Sequence, residues 1–203
     1  LKTNGGALIN VGSELSETVI PLQGHYNASK HAVKGFTETL RIELEKERAP
    51  VSVTLVEPSA IDTPYPEHAK NYMDVEPTHQ PPVYAPEIVA NAILRCASHP
   101  HRTVRVGAGA KAFTLIEKVA PALGDRIKVA TTFDGSRTNE PARDEDTLYA
   151  ARPGNPRVRG NYKGHVMKQS WSTAATLRPI PAMLAAATIG VGLAYAVRSL
   201  RED

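Results

Sequence analysis

The amino-acid sequence predicts an α/β protein with a parallel sheet, and three observations carry that expectation. Short runs at Ala7–Val11, Val51–Val56 and Thr103–Val106 are dense in valine, isoleucine and leucine. Parallel strands read this way because both of their faces are covered. Helical patterns separate the runs, which is the alternation of βαβ units and not of a meander.

In chain order, the first run ends at Gly12-Ser13 and is followed by a predicted helix from about Tyr26 to Glu47. Val33, Phe36, Leu40 and Leu44 are spaced three and four apart and predict its buried stripe, with Glu38, Arg41, Glu45 and Lys46 solvated. The second run leads into Pro58-Ser59-Ala60-Ile61-Asp62-Thr63. Pro64, Pro66, Pro81 and Pro82 then stand among polar residues and predict a mobile lid. Pro86 suits the first turn of a helix through about Ser98, with Ile88, Val89, Ala92 and Ile93 buried, Cys96 among them, and His99-Pro100 as its stop. After the third run, Gly107-Ala108-Gly109-Ala110-Lys111-Ala112 matches G-x-G-x-x-A. No further parallel strand follows to complete a βαβ unit, so these residues read as a tight turn leaving the strand.

The 203 residues have room for one domain, or for one domain and a tail. Lys plus Arg (24) against Asp plus Glu (21) leaves +3, mild and interspersed, which argues against a nucleic-acid partner. A single cysteine excludes an intramolecular disulfide and a multi-cysteine metal cluster. His99 and His101 lack further ligands nearby and read as a surface turn, so no metal site is expected. Residues 1–130 form the expected globular part. In 131–179 the composition turns polar, and between Asp134 and Trp171 only Leu148, Val158 and Val166 are branched aliphatics. Such a stretch buries too little apolar surface to offset its ordering entropy, so a disordered linker is expected. Residues 180–198 are expected to be an apolar helix. Ile180 to Val197 carries no charge and lies between Arg178 and Arg198. Its length is at the short end of the transmembrane range, about 17–25 residues. A membrane anchor and a helix packed back on a domain both satisfy it.

Ligands of open parallel sheets bind beyond the carboxyl ends of the strands, and the polar residues of interest fall there. Ser13 directly follows the first strand. Tyr26 and Lys30 stand four apart at the start of the following helix, on one face and one turn apart. A tyrosine is a poor base at its reference pKa of about 10, and a neighbouring ammonium stabilises the phenolate. A serine hydroxyl aimed at the same point can hold a carbonyl or alkoxide oxygen while the phenol exchanges its proton. Gly12-Ser13-Glu14-Leu15-Ser16 departs from G-x-S-x-G at its last position, which argues against a hydrolase elbow.

Together, Ser13 after a strand, Tyr26 at 26 − 13 = 13 positions later, Lys30, and the turn Pro58-x-x-Ile61-x-Thr63 resemble the short-chain dehydrogenase/reductase family. The resemblance spans roughly Leu1 to Val106 and is to classical members with a C-terminal extension. It implies the carboxyl-terminal part of a Rossmann-type doubly wound sheet. It further implies an oxidoreductase, homo-oligomeric when complete, that passes hydride between NAD or NADP and a small-molecule alcohol or carbonyl; Arg198 and Arg201 just past the uncharged stretch favour a cytoplasmic carboxyl terminus, hence a cytoplasmic enzyme. By that resemblance Ser13 orients the substrate carbonyl and Tyr26 is the general acid/base. Lys30 lowers the phenol pKa and hydrogen-bonds the nicotinamide ribose. Pro58, Ile61 and Thr63 line the nicotinamide, the Ile61 amide facing its carboxamide, and Asp62 has a structural place in that turn. The family usually has glycine where Ser59 stands. Its members begin with a Gly-rich strand–turn–helix, and only twelve residues precede Ser13. The chain is therefore expected to be a carboxyl-terminal half, inactive alone, with the residue that selects NAD or NADP ahead of Leu1. Two other readings stand beside this one: an extended-type epimerase or dehydratase sharing the Ser, Tyr and Lys, and a non-enzymatic membrane-tethered remnant.

Overall fold

A computed structural model describes residues 1–151 and 157–178. The expected helix at 180–198 lies outside the described residues. Three parallel strands, β1 (Gly6–Val11), β2 (Val51–Pro58) and β5 (Thr103–Val106), form a sheet in the order β1-β2-β5. Val11 pairs with Val56 and Pro58 with Val106, so the strands end nearly level. Helix α1 (Gly24–Lys46) connects β1 to β2, and α3 (Pro86–Ser98) precedes β5. Between β2 and α3 lie α2 (Tyr65–His68), β3 (Val75–Pro77) and β4 (Val83–Tyr84). After β5 come α4 (Gly109–Val119), α5 (Pro121–Gly135), β6 (Arg137–Pro141), β7 (Val166–Met167) and α6 (Trp171–Leu177). The expected α/β class with a parallel sheet is present.

The aliphatic core is the layer between α3 and the sheet. Ala92 and Cys96 of α3 meet Val56 of β2 and Val104 and Val106 of β5, all fully buried, with Ile9, Ile88, Val89, Ile93 and Leu177 around them. Residues two apart on a strand share a face, so one aliphatic face of β2 and β5 is committed to α3.

Helix α1 is rotated relative to the expected stripe. Phe36 is exposed, whereas Thr37 is fully buried with Leu44. Arg41 is not solvated: its Nε donates to the Val53 carbonyl and its guanidinium to the Arg102 carbonyl, at 3.1 and 2.9 Å. The Thr37 hydroxyl accepts from Asn10 at 2.9 Å and donates to the Val33 carbonyl. Polar contacts with the sheet outweigh burial of one phenyl ring and decide the rotation.

The expected linker is a correction. The segment after α5 crosses back over the loops that follow β2. Strand β6 pairs antiparallel with β3, and β7 pairs parallel with β4. Arg143 bridges to Glu76 at 2.6 Å and to Glu67, and Arg157 also binds Glu67, whose side chain is nearly fully buried. Composition misled because ordering here comes from ion pairs and ladder hydrogen bonds, not from aliphatic burial. Those contacts also tie down the stretch expected to be a mobile lid.

The other face of the sheet carries charge. Glu57 of β2 is 1% exposed, and Arg105 Nε approaches it to 3.3 Å without hydrogen-bond geometry, so both carboxyl oxygens lack a hydrogen-bond partner. Arg105 also bridges to Glu17, which pairs with Lys34 of α1 at 2.9 Å. Burial, reinforced by the Glu17 charge, pushes the Glu57 carboxyl from 4.5 up to about 7. A folded-state pKa above the unfolded one means that the native state holds this proton more tightly. Its contribution to stability is complete below about 4.5 and is lost as the pH rises through about 7. Glu57→Gln should therefore flatten the pH dependence of the melting temperature across that window. Above it the variant should melt higher than the parent, by on the order of 5 °C, as read by circular dichroism.

Candidate active site

The chain leaves the sheet at Gly12, Ser59 and Gly107, and these three departures build the site. Ser13 has an extended backbone and caps the single 3-10 turn Glu14–Ser16. Its Oγ accepts from the Leu15 amide at 3.1 Å, and its own amide donates to Ser16 Oγ at 3.1 Å. This reciprocal cap holds the Ser13 hydroxyl in one orientation. It also requires glycine beside it, since a Cβ on Gly12 would stand 2.9 Å from Ser16 Oγ.

Tyr26 and Lys30 lie in the first two turns of α1, whose start is pinned by Asn27 donating to the Ile20 carbonyl at 2.8 Å. The Lys30 ammonium donates to the Val11 carbonyl at 3.2 Å and stands 5.5 Å from the Tyr26 ring centroid. Burial raises the Tyr26 phenol pKa above its usual value, the Ser13 side chain opposes this, and the Glu14 charge adds to the rise. The expected lowering by Lys30 is not found. The ammonium bonds the end of β1, and burial lowers its own pKa.

Ser59 occupies the usual glycine position and uses its side chain. It hydrogen-bonds Glu14, whose other oxygen, Oε2, is buried without a partner. Burial raises the Glu14 pKa against that bond. The Pro58–Thr63 turn is held by β4: the Asp62 amide donates to the Tyr84 carbonyl and the Tyr84 amide to the Ala60 carbonyl, each at 2.9 Å. Asp62 is buried, and its carboxylate and carbonyl accept from the Tyr162 and Gly160 amides. Its role is to seat the returning segment on the turn. The glycine-rich turn after β5 has its amides occupied: Gly107 donates to the Thr173 hydroxyl and Ala108 to the Tyr84 hydroxyl, at 3.0 and 3.1 Å. These two amides are thereby taken up within the fold.

One cavity of about 400 Å³ is lined by Ser13, Tyr26, Lys30, Pro58, Ile61 and Thr63, all six residues singled out in the sequence. Sequence reasoning missed other parts of its wall. Tyr65 leans on Tyr26 with ring centroids 5.2 Å apart, and burial together with Tyr26 pushes its phenol up to about 12. His79 also lines the cavity, and burial lowers its pKa against the Asp62 carboxylate and the Thr63 backbone. Lys128 and Thr132 of α5 and Ser136 at its C-terminal cap complete the wall. Tyr65 stands only two residues past Thr63, and the α5 residues recur every four, the signals from which they were accessible.

Residues 1–73 match the family model described as short chain dehydrogenase. The chain is 44% identical over 178 residues to the uncharacterized oxidoreductase YxnA of Bacillus subtilis, covering 86% of this chain and 50% of that protein. The chain belongs to the short-chain dehydrogenase/reductase family. It is also 30% identical over 140 residues to the putative oxidoreductase SadH of Mycobacterium tuberculosis, covering 64% of this chain and 50% of that one. A solved short chain dehydrogenase from Burkholderia cenocepacia in complex with NADP superposes with a TM-score of 0.49 at 34% identity, over 63% of this chain and 49% of that chain. The family member described here thus spans about half the length of the curated relatives it matches. A likeness covering 86% of the chain must run into the segment after α5, so that segment shares it.

In this family member Glu14 is the acidic neighbour that acts on the Tyr26 phenol. Removing its charge should lower the pKa at which Tyr26 ionises. Ultraviolet difference titration of Glu14→Gln, with the double variant Glu14→Gln/Tyr26→Phe as blank, should show the tyrosinate signal at lower pH than in the parent.

Proposed function

We propose that the protein carrying this chain is an NAD- or NADP-dependent oxidoreductase acting on an alcohol or carbonyl, with Ser13, Tyr26 and Lys30 as its catalytic residues. The observation that carries the reading is the single cavity that gathers Ser13, Tyr26 and Lys30 with the Pro58–Thr63 turn. The donor set suits the nicotinamide end of the cofactor: Tyr26 and Lys30 toward the ribose hydroxyls, Pro58, Ile61 and Thr63 along the ring. Bound there, the nicotinamide supplies or accepts the hydride.

The chain's own residues then handle the oxygen and its proton. Ser13 Oγ donates a hydrogen bond to the substrate oxygen, and its cap keeps that hydroxyl aimed without reorganisation. Tyr26 is protonated at neutral pH, as a phenol with a pKa at or above its usual value of about 10 must be, and so carries the proton that passes to a carbonyl oxygen as negative charge develops there. Alcohol oxidation reverses the transfer and needs the phenolate. Lys30 favours the phenolate electrostatically once its ammonium is engaged toward the ribose, and the Val11 carbonyl keeps it on the correct face. The reading extends to a cytoplasmic enzyme and to a homo-oligomer, the latter supported by Phe36 and Ile42, which α1 leaves exposed. A tether at 180–198 is supported by the uncharged stretch Ile180 to Val197. Among the described residues no helix is long and apolar enough to cross a membrane.

Tyr26→Phe should abolish turnover while leaving cofactor affinity within a few fold, because it removes the transferable proton and little volume. Retention of a tenth or more of the activity would overturn the role of Tyr26. Lys30→Met should depress kcat and weaken cofactor binding together. An unchanged pH–rate profile with unchanged affinity would remove Lys30 from the mechanism.

A further inference from the structure

Helix α5 turns its polar side inward. Lys128, Thr132 and Ser136 recur every fourth residue, which puts them on one stripe, and they are only 4%, 3% and 7% exposed. Leu123, Val129 and Phe133 occupy the other side and are exposed. Apolar burial alone would rotate the helix the opposite way. Large apolar side chains left in water forgo burial energy, and a buried polar group is unfavourable if left without a hydrogen bond.

Polar contacts hold the orientation. Lys128 and Thr18 both donate to the Glu117 carboxylate of α4. Burial acts to raise the Glu117 pKa, but these two donors outweigh it and hold the carboxyl below its usual value. Gln80 Nε2 donates to the Thr132 carbonyl at 2.7 Å and to Ser136 Oγ at 3.2 Å, and Ser136 Oγ donates to the Thr132 carbonyl at 2.8 Å. Gly135 makes room for this lock, since a Cβ there would stand 3.0 Å from Gln80 Nε2.

Among the described residues, Lys128 and Thr132 keep hydrogen-bonding capacity. An ammonium has three donors, and Glu117 is its ion-pair partner here. The Thr132 hydroxyl has a long 3.4 Å contact with Thr131. Both residues line the same cavity as Ser13 and Tyr26. We infer that Lys128 and Thr132 form a second recognition point, so that the substrate is an uncharged alcohol or carbonyl compound bearing a second oxygen function away from the reacting carbon. The inference rests on the oxidoreductase reading and adds the substrate class. A carboxylate at that position would compete with Glu117 for the ammonium, whereas a hydroxyl or carbonyl oxygen accepts from it without breaking the ion pair.

The test compares cyclohexanol, cyclohexanediol and hydroxycyclohexanecarboxylate as substrates of the protein carrying this chain. The parent should prefer the diol over the mono-alcohol by about tenfold in kcat/KM, the size of one hydrogen bond. In Lys128→Met and in Thr132→Val that preference should fall to within about twofold, mainly through KM. Thr132→Val leaves the Lys128–Glu117 pair intact and serves if the lysine variant fails to fold. Diol-induced stabilisation in a thermal melt without cofactor gives a readout independent of turnover, and it should also vanish in Thr132→Val. Equal kcat/KM for diol and mono-alcohol in the parent, a preference for the carboxylate, or a preference unchanged in Thr132→Val would overturn the inference and leave the oxidoreductase reading standing. Diol stabilisation lost in Thr132→Val, with no oxidation of any of these alcohols, would retain the recognition point and overturn the oxidoreductase reading.

Discussion

The level parallel register of β1, β2 and β5 governs everything at the site. With Val11 beside Val56 and Pro58 beside Val106, the chain leaves the sheet at one edge three times. A slip of one residue would reverse the faces of a strand. On β2 it would turn Glu57 into the aliphatic layer under α3 and Val56 out of it, a large penalty in both directions. Aliphatic packing of Val56, Val104 and Val106 on Ala92 and Cys96 therefore sets, at a distance, where Ser13 stands relative to Tyr26. Two positions at this edge must lack a side chain. Gly12 passes Ser16, and Gly107, at a φ of +108°, would place a Cβ 2.6 Å from that of Ser59. The serine that replaces the usual glycine of the turn is thus accommodated by the glycine that directly follows the neighbouring strand.

The opposite face works by charge and hydrogen bonds. Lys34, Glu17, Arg105 and Glu57 run from α1 to the sheet beneath the Ser13 turn, and Arg41 and Thr37 add contacts farther along the helix. Polar docking is directional, so it specifies the rotation of α1 more sharply than an aliphatic stripe would. That rotation carries Tyr26 and Lys30 to the cavity. Burying these charges is unfavourable unless they are matched, and Glu57, the least matched of them, shows it in its raised pKa.

The segment after α5 follows the same logic in a region poor in aliphatics. Glu67 and Glu76 lie beneath it, and Arg143 and Arg157 reach down to them. The Gly160 and Tyr162 amides close over Asp62. Each contact lands on the stretch from Asp62 to Pro77, whose Thr63 and Tyr65 line the cavity. Residues about a hundred positions from Asp62 thereby hold the turn in which it sits.

The three strands, the helices at Tyr26 and Pro86, and the grouping of Ser13, Tyr26, Lys30, Pro58, Ile61 and Thr63 were legible from the residues. Each follows from short-range chemistry: strand runs of branched aliphatics, four-residue helical spacing, and turns at strand ends. The rotation of α1, the order in the described residues of 131–178, and the polar wall of Lys128, Thr132 and Ser136 were not. These depend on which distant partner each polar side chain meets, such as Arg41 with Val53, Arg143 with Glu76, or Gln80 with α5. Hydrophobic periodicity reports where water is excluded by apolar surface. It is silent where burial is achieved by paired charges and hydrogen bonds, because their stabilisation exists only once the chain has brought both members together.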